Sequence, residues 1–320
     1  MTTRTTIARR SAGTPASEQP ASGPRGPSPT AGGSELIELR ETLPGEWQST
    51  WHSPSIATGA RAGQYVHLRS VRAGGLPVRR PLQIVVADAV SGTVAVQGEL
   101  AGEVGLHGAL RVGDRAELLG PSGRPFELDS RSRHLLLIAE GGAIAGLRLL
   151  AAEAVRDGRS VVVLMGAAGA AHVHPSSLLP DEVEYVVATA DGSLGHHGSV
   201  VDLVTDYEAW ADQAFAAGSW PMLGAVARLA AGRQGRMGVA RLGRKRGGGR
   251  APTPGSPEAR RRAWLQVILP QFDGCAAGSC LGCAVMGSAG ASLRVCREGP
   301  VFAASELALG EGDGGGGAPG

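Results

Sequence analysis

Cysteine is scarce in this chain: four residues among 320, none before position 275. Nothing upstream can therefore be stapled by a disulfide. Aromatic residues amount to only 4%. Long apolar runs are missing too. The longest, Leu135–Ala139 and Val161–Ala171, fall short of the roughly 20 residues that span a bilayer. Net charge is +2, so no global excess points to nucleic acid or to a membrane surface. No apolar stretch follows Arg9-Arg10, which does not read as an export signal. A cytoplasmic protein with free thiols is expected.

What is present is concentrated. Cys275, Cys280, Cys283 and Cys296 read C-x4-C-x2-C-x12-C. That is the plant-type ligand run of a 2Fe–2S cluster. Gly274, Gly278 and Gly282 lie beside the thiols. Glycines let a short loop coil and turn its N–H groups toward sulfur. A zinc site also takes four thiolates, but it favours two C-x2-C pairs. Paired disulfides would need an exported protein.

Hydrophobic content of 42% suffices for two or three small domains. Fifty glycines give isolated ones little weight. Residues 1–33 hold no apolar run and are expected as a disordered tail. Over 34–130 short runs such as Gln64–Arg69, Leu82–Ala87 and Thr93–Gln97 alternate with turns, which predicts an antiparallel β-barrel. Over 131–231 the order becomes βαβ: strands at Leu135–Ala139, Ser160–Met165 and Glu184–Thr189, helices at Ala143–Val155 and Ser199–Tyr207. This predicts a parallel sheet covered by helices. Residues 232–263, rich in arginine and glycine, read as a basic disordered insertion rather than a nucleic-acid arm. A small cluster domain over 264–309 and a glycine-rich disordered tail over 310–320 complete an α+β multidomain chain.

Weaker motifs lie between. Arg79-Arg80-Pro81-Leu82-Gln83 opens a strand, where an arginine beside a fixed proline can bind a flavin pyrophosphate. Gly120-Pro121-Ser122-Gly123 is a turn closing the barrel. Gly141-Gly142 sits between strand and helix, a natural phosphate position. Asp191-Gly192-Ser193 follows a strand C-terminus, where ligands bind in open α/β sheets. His196-His197 reads as loop histidines without a carboxylate partner.

Taken in order, these segments resemble the electron-transfer subunit of B-type dihydroorotate dehydrogenase, in the ferredoxin reductase superfamily, from about Glu35 to Leu309 apart from the arginine-rich insertion. Gly63-Gln64-Tyr65-Val66, Arg80-Pro81-Leu82-Gln83-Ile84, Gly120-Pro121-x-Gly123, Asp191-Gly192-Ser193-x-Gly195-x-x-Gly198 and Trp220-Pro221-Met222-Leu223 match in family order. Cys280-Leu281-Gly282-Cys283 and Val295-Cys296-Arg297-Glu298-Gly299-Pro300-Val301-Phe302 are the most specific. The resemblance implies FAD between barrel and nucleotide domain, with a cluster beside it facing an FMN-bearing catalytic subunit in a heterotetramer. Electrons from dihydroorotate would reach NAD through cluster and FAD, in pyrimidine biosynthesis. It places Cys275, Cys280, Cys283 and Cys296 on the cluster. It sets Arg80, Pro81, Leu82, Gln83, Gly120 and Gly123 at the flavin, and Gly141, Gly142, Asp191 and Ser193 near the nucleotide. No residue is assigned a catalytic role.

Three departures bear on the nucleotide. The family's R-P-x-S serine is Gln83, its G-G-G-I-G turn carries Ala143 and Ala145, and its C-G-P is Ala217-Gly218-Ser219. Weakened or altered NAD handling is the expectation. The rival readings are the small subunit of another flavin and iron–sulfur reductase (NADPH–ferredoxin, sulfite reductase or hydrogenase) and a non-catalytic cluster-bearing redox module.

Overall fold

The computed structural model describes residues 30–69, 79–99, 110–241, 253, 255–270, 275 and 277–309. Residues 1–29, 242–252 and 310–320, for which disorder is expected, lie outside the described residues.

Six strands close an antiparallel barrel: β1 (Thr30–Leu43), β2 (Glu46–His52), β3 (Tyr65–Arg69), β4 (Arg79–Asp88), β5 (Thr93–Glu99) and β6 (Arg115–Ser122), in the order β1-β2-β5-β4-β3-β6. Alternation drives closure. Leu36, Trp51, Leu68, Leu82, Ile84, Val94, Val96 and Leu118 point inward and are fully buried, as a period of two requires. A short helix, α1 (Pro54–Gly59), follows β2. Strand β1 begins at Thr30 and pairs with β6 from Thr30↔Gly120 onward. The first described residues thus fall inside the segment expected to be tail, where they pair with β6.

A second sheet follows, built from β7 (His134–Glu140), β8 (Ser160–Ala167), β9 (Glu184–Thr189), β10 (His196–His197), β11 (Gln213–Ala217), β12 (Leu265–Ile268) and β15 (Val301–Ala303). Its order is β10-β9-β8-β7-β11-β12-β15. The runs Leu135–Ala139 and Val161–Gly166 are buried without interruption. That is the signature of a parallel sheet covered on both faces. Helix α2 (Ala145–Arg156), entered through a 3-10 turn at Gly141–Ile144, packs between sheet and barrel. Leu135, Leu137 and Ala139 join Leu147, Leu150 and the barrel interior in one core. Leu136 and Ile138 face the other way, toward α3 (Val200–Tyr207) and α4 (Trp220–Arg241). Ser199 starts α3 as its cap, its N–H donating to Asp202 at 2.9 Å, a reciprocal arrangement typical of helix starts.

Three features differ from the sequence expectation. Helix α4 runs on to Arg241, and α5 (Pro257–Arg262) is also helical, so both ends of the basic stretch 232–263 are ordered. Ser256 caps α5, and Arg262 pairs with Glu258 one turn back at 2.6 Å. Second, β12 and β15 belong to the nucleotide-type sheet, with β15 antiparallel. Only the excursion between them, with β13 (Ala284–Met286), β14 (Ser292–Arg294) and α6 (Val295–Glu298), stands outside it. Third, His196 and His197 form a bridge to β9, and His196 lies 3.5 Å from Asp202. A carboxylate partner exists after all, three residues into the next helix.

Candidate functional site

All four cysteines are free thiols, and they gather on the excursion between β12 and β15. Left-handed backbone at Gly278 (φ 75°) and Leu281 (φ 60°) curls the loop. The curl turns N–H groups inward: Ala277, Ser279 and Cys280 donate to Cys275 Sγ at 3.4, 3.2 and 3.4 Å. Gly282 donates to Cys280 Sγ, and Cys296 to Cys283 Sγ, each at 3.4 Å. Hydrogen bonding from Ser279 and then from the Cys280 N–H pulls the Cys275 thiol down to about 5. Burial, then the adjacent Cys283 thiol, pushes Cys296 up to about 12. The N–H donors thus favour the Cys275 thiolate, whereas burial favours the Cys296 thiol, whose proton a bound metal would displace.

Among the described residues no three or more ligand side chains converge on a single metal-ion position. A binuclear centre does not ask for that, since its irons divide the four thiolates between them. Four free thiols with N–H groups aimed at sulfur fit a 2Fe–2S centre. The loop is braced from behind: Arg294 grips Glu298 through three hydrogen bonds and reaches Gly278 O at 3.3 Å. The segment Arg294–Glu298 therefore holds the ligand loop as well as supplying a ligand.

The thiol loop meets the barrel directly. Tyr65 on β3 is buried, and its hydroxyl donates to Cys296 O at 3.4 Å. Burial, and then the thiols of Cys296, Cys283 and Cys275, raise its phenol above the ordinary value. Arg124 N–H donates to Gly299 O at 2.7 Å. Gly123 sits at φ 85°, and a side chain there would meet Pro300 and, at 2.7 Å, Tyr65 Cε1. Gly123 is thus placed at the seam with the cluster segment, and its glycine requirement comes from that close approach.

Register places Tyr65, Gln83, Gln97 and Gln48 directly opposite one another across β3, β4, β5 and β2. The row leads from the thiol loop to α2. Gln83 donates to Gln64 O at 3.0 Å and lies beside Gly146 of α2. Arg148 of α2, itself buried, donates to Gln48 Oε1 at 2.9 Å, Gln97 Oε1 at 2.7 Å and Leu178 O at 3.2 Å. Burial, and then Arg40, lower its guanidinium to about 10. Leu82 points into the barrel core instead. Arg80 and Pro81 are half-buried on β4, and no described carboxylate pairs with Arg80, which suits a pyrophosphate.

On the sheet side, Gly141 and Gly142 begin the turn after β7. Asp191 and Ser193 close a turn after β9: Ser193 Oγ donates to Asp191 Oδ1 at 2.6 Å and accepts from Ala170 N–H at 2.8 Å. The Ala170 bond ties the β9 loop to the β8 loop, at the same carboxyl edge of the parallel strands as Gly141 and Gly142. Sequence reading missed Arg148, and it quoted Tyr65 within a matching strand without placing it at the thiol loop. The signal for Arg148 was one charge amid Ala-Gly-Leu-Arg-Leu-Leu-Ala-Ala, an otherwise apolar helix start.

A barrel, a parallel sheet and a four-thiol loop docked on both define a ferredoxin-reductase-like electron-transfer protein. Solved structures agree on the fold. A chain from an NADH-dependent reduced ferredoxin–NADP oxidoreductase superposes with TM-score 0.66 at 21% identity, covering 86% of this chain and 90% of that one. A ferredoxin reductase of carbazole 1,9a-dioxygenase gives 0.54 at 20%, covering 64% and 66%. Residues 274–308 match the iron–sulfur cluster binding domain of dihydroorotate dehydrogenase B. The dihydroorotate dehydrogenase B (NAD(+)) electron transfer subunit of Geobacillus thermodenitrificans is 30% identical over 86% of this chain and 97% of that protein. That of Desulforamulus reducens is 28% identical over 84% and 94%. The chain belongs to the family of dihydroorotate dehydrogenase B electron transfer subunits.

Proposed function

We propose that this chain carries electrons from a dihydroorotate-oxidising catalytic subunit to NAD⁺, in pyrimidine biosynthesis. The observation that carries the reading is the seam between thiol loop and barrel: Tyr65 and Arg124 bond directly to the segment that holds Cys296. When bound, a 2Fe–2S centre supplies single-electron transfer and FAD converts it to hydride transfer. Cys275, Cys280, Cys283 and Cys296 would hold the cluster. Arg80 and Pro81 would hold the flavin pyrophosphate, and Gly141 and Gly142 would face the nucleotide. Arg148 and the glutamine row lock α2 to the barrel, so flavin and nucleotide surfaces keep one spacing.

The partner is read as FMN-bearing and the assembly as a heterotetramer. Leu281 and Met286, both on the thiol excursion, are exposed apolar side chains, a surface suited to a protein partner. No helix among the described residues is long and apolar enough to cross a membrane, and free thiols suit the cytoplasm. Co-purification with the catalytic subunit, followed by a dihydroorotate-to-NAD⁺ assay, tests the reading. NADH formation that requires both subunits is expected. A complex that oxidises dihydroorotate yet never reduces NAD⁺ would overturn it.

A further inference from the structure

The sheet order reverses between β7 and β11: from β7 the chain winds outward through β8, β9 and β10, then returns to β11 and β12 on the other side. In open α/β sheets the crevice outside the strand carboxyl ends at such a reversal receives the ligand. Its two walls here are Glu140-Gly141-Gly142 after β7 and Ala217-Gly218-Ser219 after β11. Both walls are covered by carboxylates of the chain itself. Glu140 Oε2 accepts the Ser219 N–H at 3.0 Å, spanning the crevice. Glu46, reaching over from β2, packs against Gly142. A Cβ built there would sit 2.7 Å from its Cδ and 3.0 Å from Oε2, with Oε1 closer still. Gln97 Nε2 fixes that carboxylate by donating to Oε2 at 2.9 Å. Gln97 is in turn held by Arg148. The carboxylate is therefore positioned by a buried network and is not a loose surface group.

A helix entry of this kind attracts anions, and Glu46 supplies one from inside the chain. Resting on the reading of NAD⁺ as acceptor, we propose that Glu46 is a specificity-determining residue that occupies the place of a dinucleotide phosphate over Gly142 and weakens nucleotide binding. A phosphate entering the crevice must displace this carboxylate or lie against it, and like charges at close range repel. The same geometry gives a reason for Gly142: any side chain there would strike Glu46.

Full-length protein loaded with flavin and cluster, titrated calorimetrically with NAD⁺ and separately with ADP, tests this. Glu46→Gln keeps an acceptor for Gln97 and removes only the charge. Both ligands should bind it about tenfold more tightly than wild type. Glu38→Gln, which removes a charge on exposed β1, should leave affinity unchanged. Equal affinities in wild type and Glu46→Gln would overturn the proposal while leaving NAD⁺ as the acceptor. Failure of every protein to bind either ligand would overturn both. Glu46→Ala provides a second variant: if it and Glu46→Gln both fail to fold, the carboxylate is structural and the proposal falls.

Discussion

At the scale of single residues, two histidines and one glutamate make the sharpest claims. His67 and His174 are nearly inaccessible. Burial, joined by Arg79 at His67 and Arg148 at His174, lowers each to about 4 from 6.5. Unfolded chain takes up these protons near 6.5, whereas folded chain resists until about 4. Stability is therefore complete above 6.5 and drains away as pH falls through that window, by about 3 kcal/mol for each histidine. Denaturant unfolding between pH 7 and pH 4.5 should show the loss. His174→Leu should flatten the slope by roughly half of the histidine contribution; an unchanged slope would mean His174 protonates freely in the fold. Glu298 works differently. Its grip on Arg294 braces the loop at Gly278, and charge-assisted pairs of this kind contribute about 1–3 kcal/mol. Glu298→Ala should release iron to a chelator several-fold faster at unchanged iron content when fresh. Equal release rates would show that the brace is idle.

At the scale of elements, the polar contact of α2 with the barrel centres on one buried cation. Arg148→Met keeps length and apolar stem but leaves Gln48 and Gln97 carbonyls without their donor. Stranded buried acceptors cost about 1–3 kcal/mol each, so a drop of about 3 kcal/mol in unfolding free energy is expected by chemical denaturation. The seam at Gly123 makes a parallel case. Gly123→Ala forces a left-handed residue against Pro300 and Tyr65 and should cost about 2–3 kcal/mol, with flavin and cluster lost before the sheet melts. Elements such as these were unevenly legible beforehand. The runs 135–139 and 161–165 announced buried parallel strands because nothing polar interrupts them. The thiol loop was legible from spacing alone, since few ligands need such a pattern. Glu46, Gln97 and Arg148 were not, because their meeting depends on register between strands far apart in sequence. A lone glutamate at a turn carries no mark of what it will face.

At the scale of the whole molecule, the expected separation of a cluster domain at 264 conflicts with how the sheet is built. Residues 265–268 extend the parallel sheet beside β11, and 301–303 seal its edge. Val267, Phe302, Trp264 and Leu265 share a core with Leu136, Ala214 and Leu223. That arrangement escaped sequence reading because β12 is only four residues long and follows a stretch dominated by arginine. The consequence is that the ligand loop is an insertion in the sheet, with no independent core of its own. A chain ending at Ala263 would bare the hydrogen-bonding edge of β11 and an apolar face that the last strands cover, a setting that favours aggregation. Removing 275–298 alone and joining β12 to β15 through a short glycine linker leaves both strands in place. The first truncation should therefore be insoluble, and the second should remain soluble, bind flavin and lack iron, read by sedimentation, flavin absorbance and metal analysis. A soluble, flavin-bound chain ending at Ala263 would mean that β12 and β15 serve the cluster rather than the sheet.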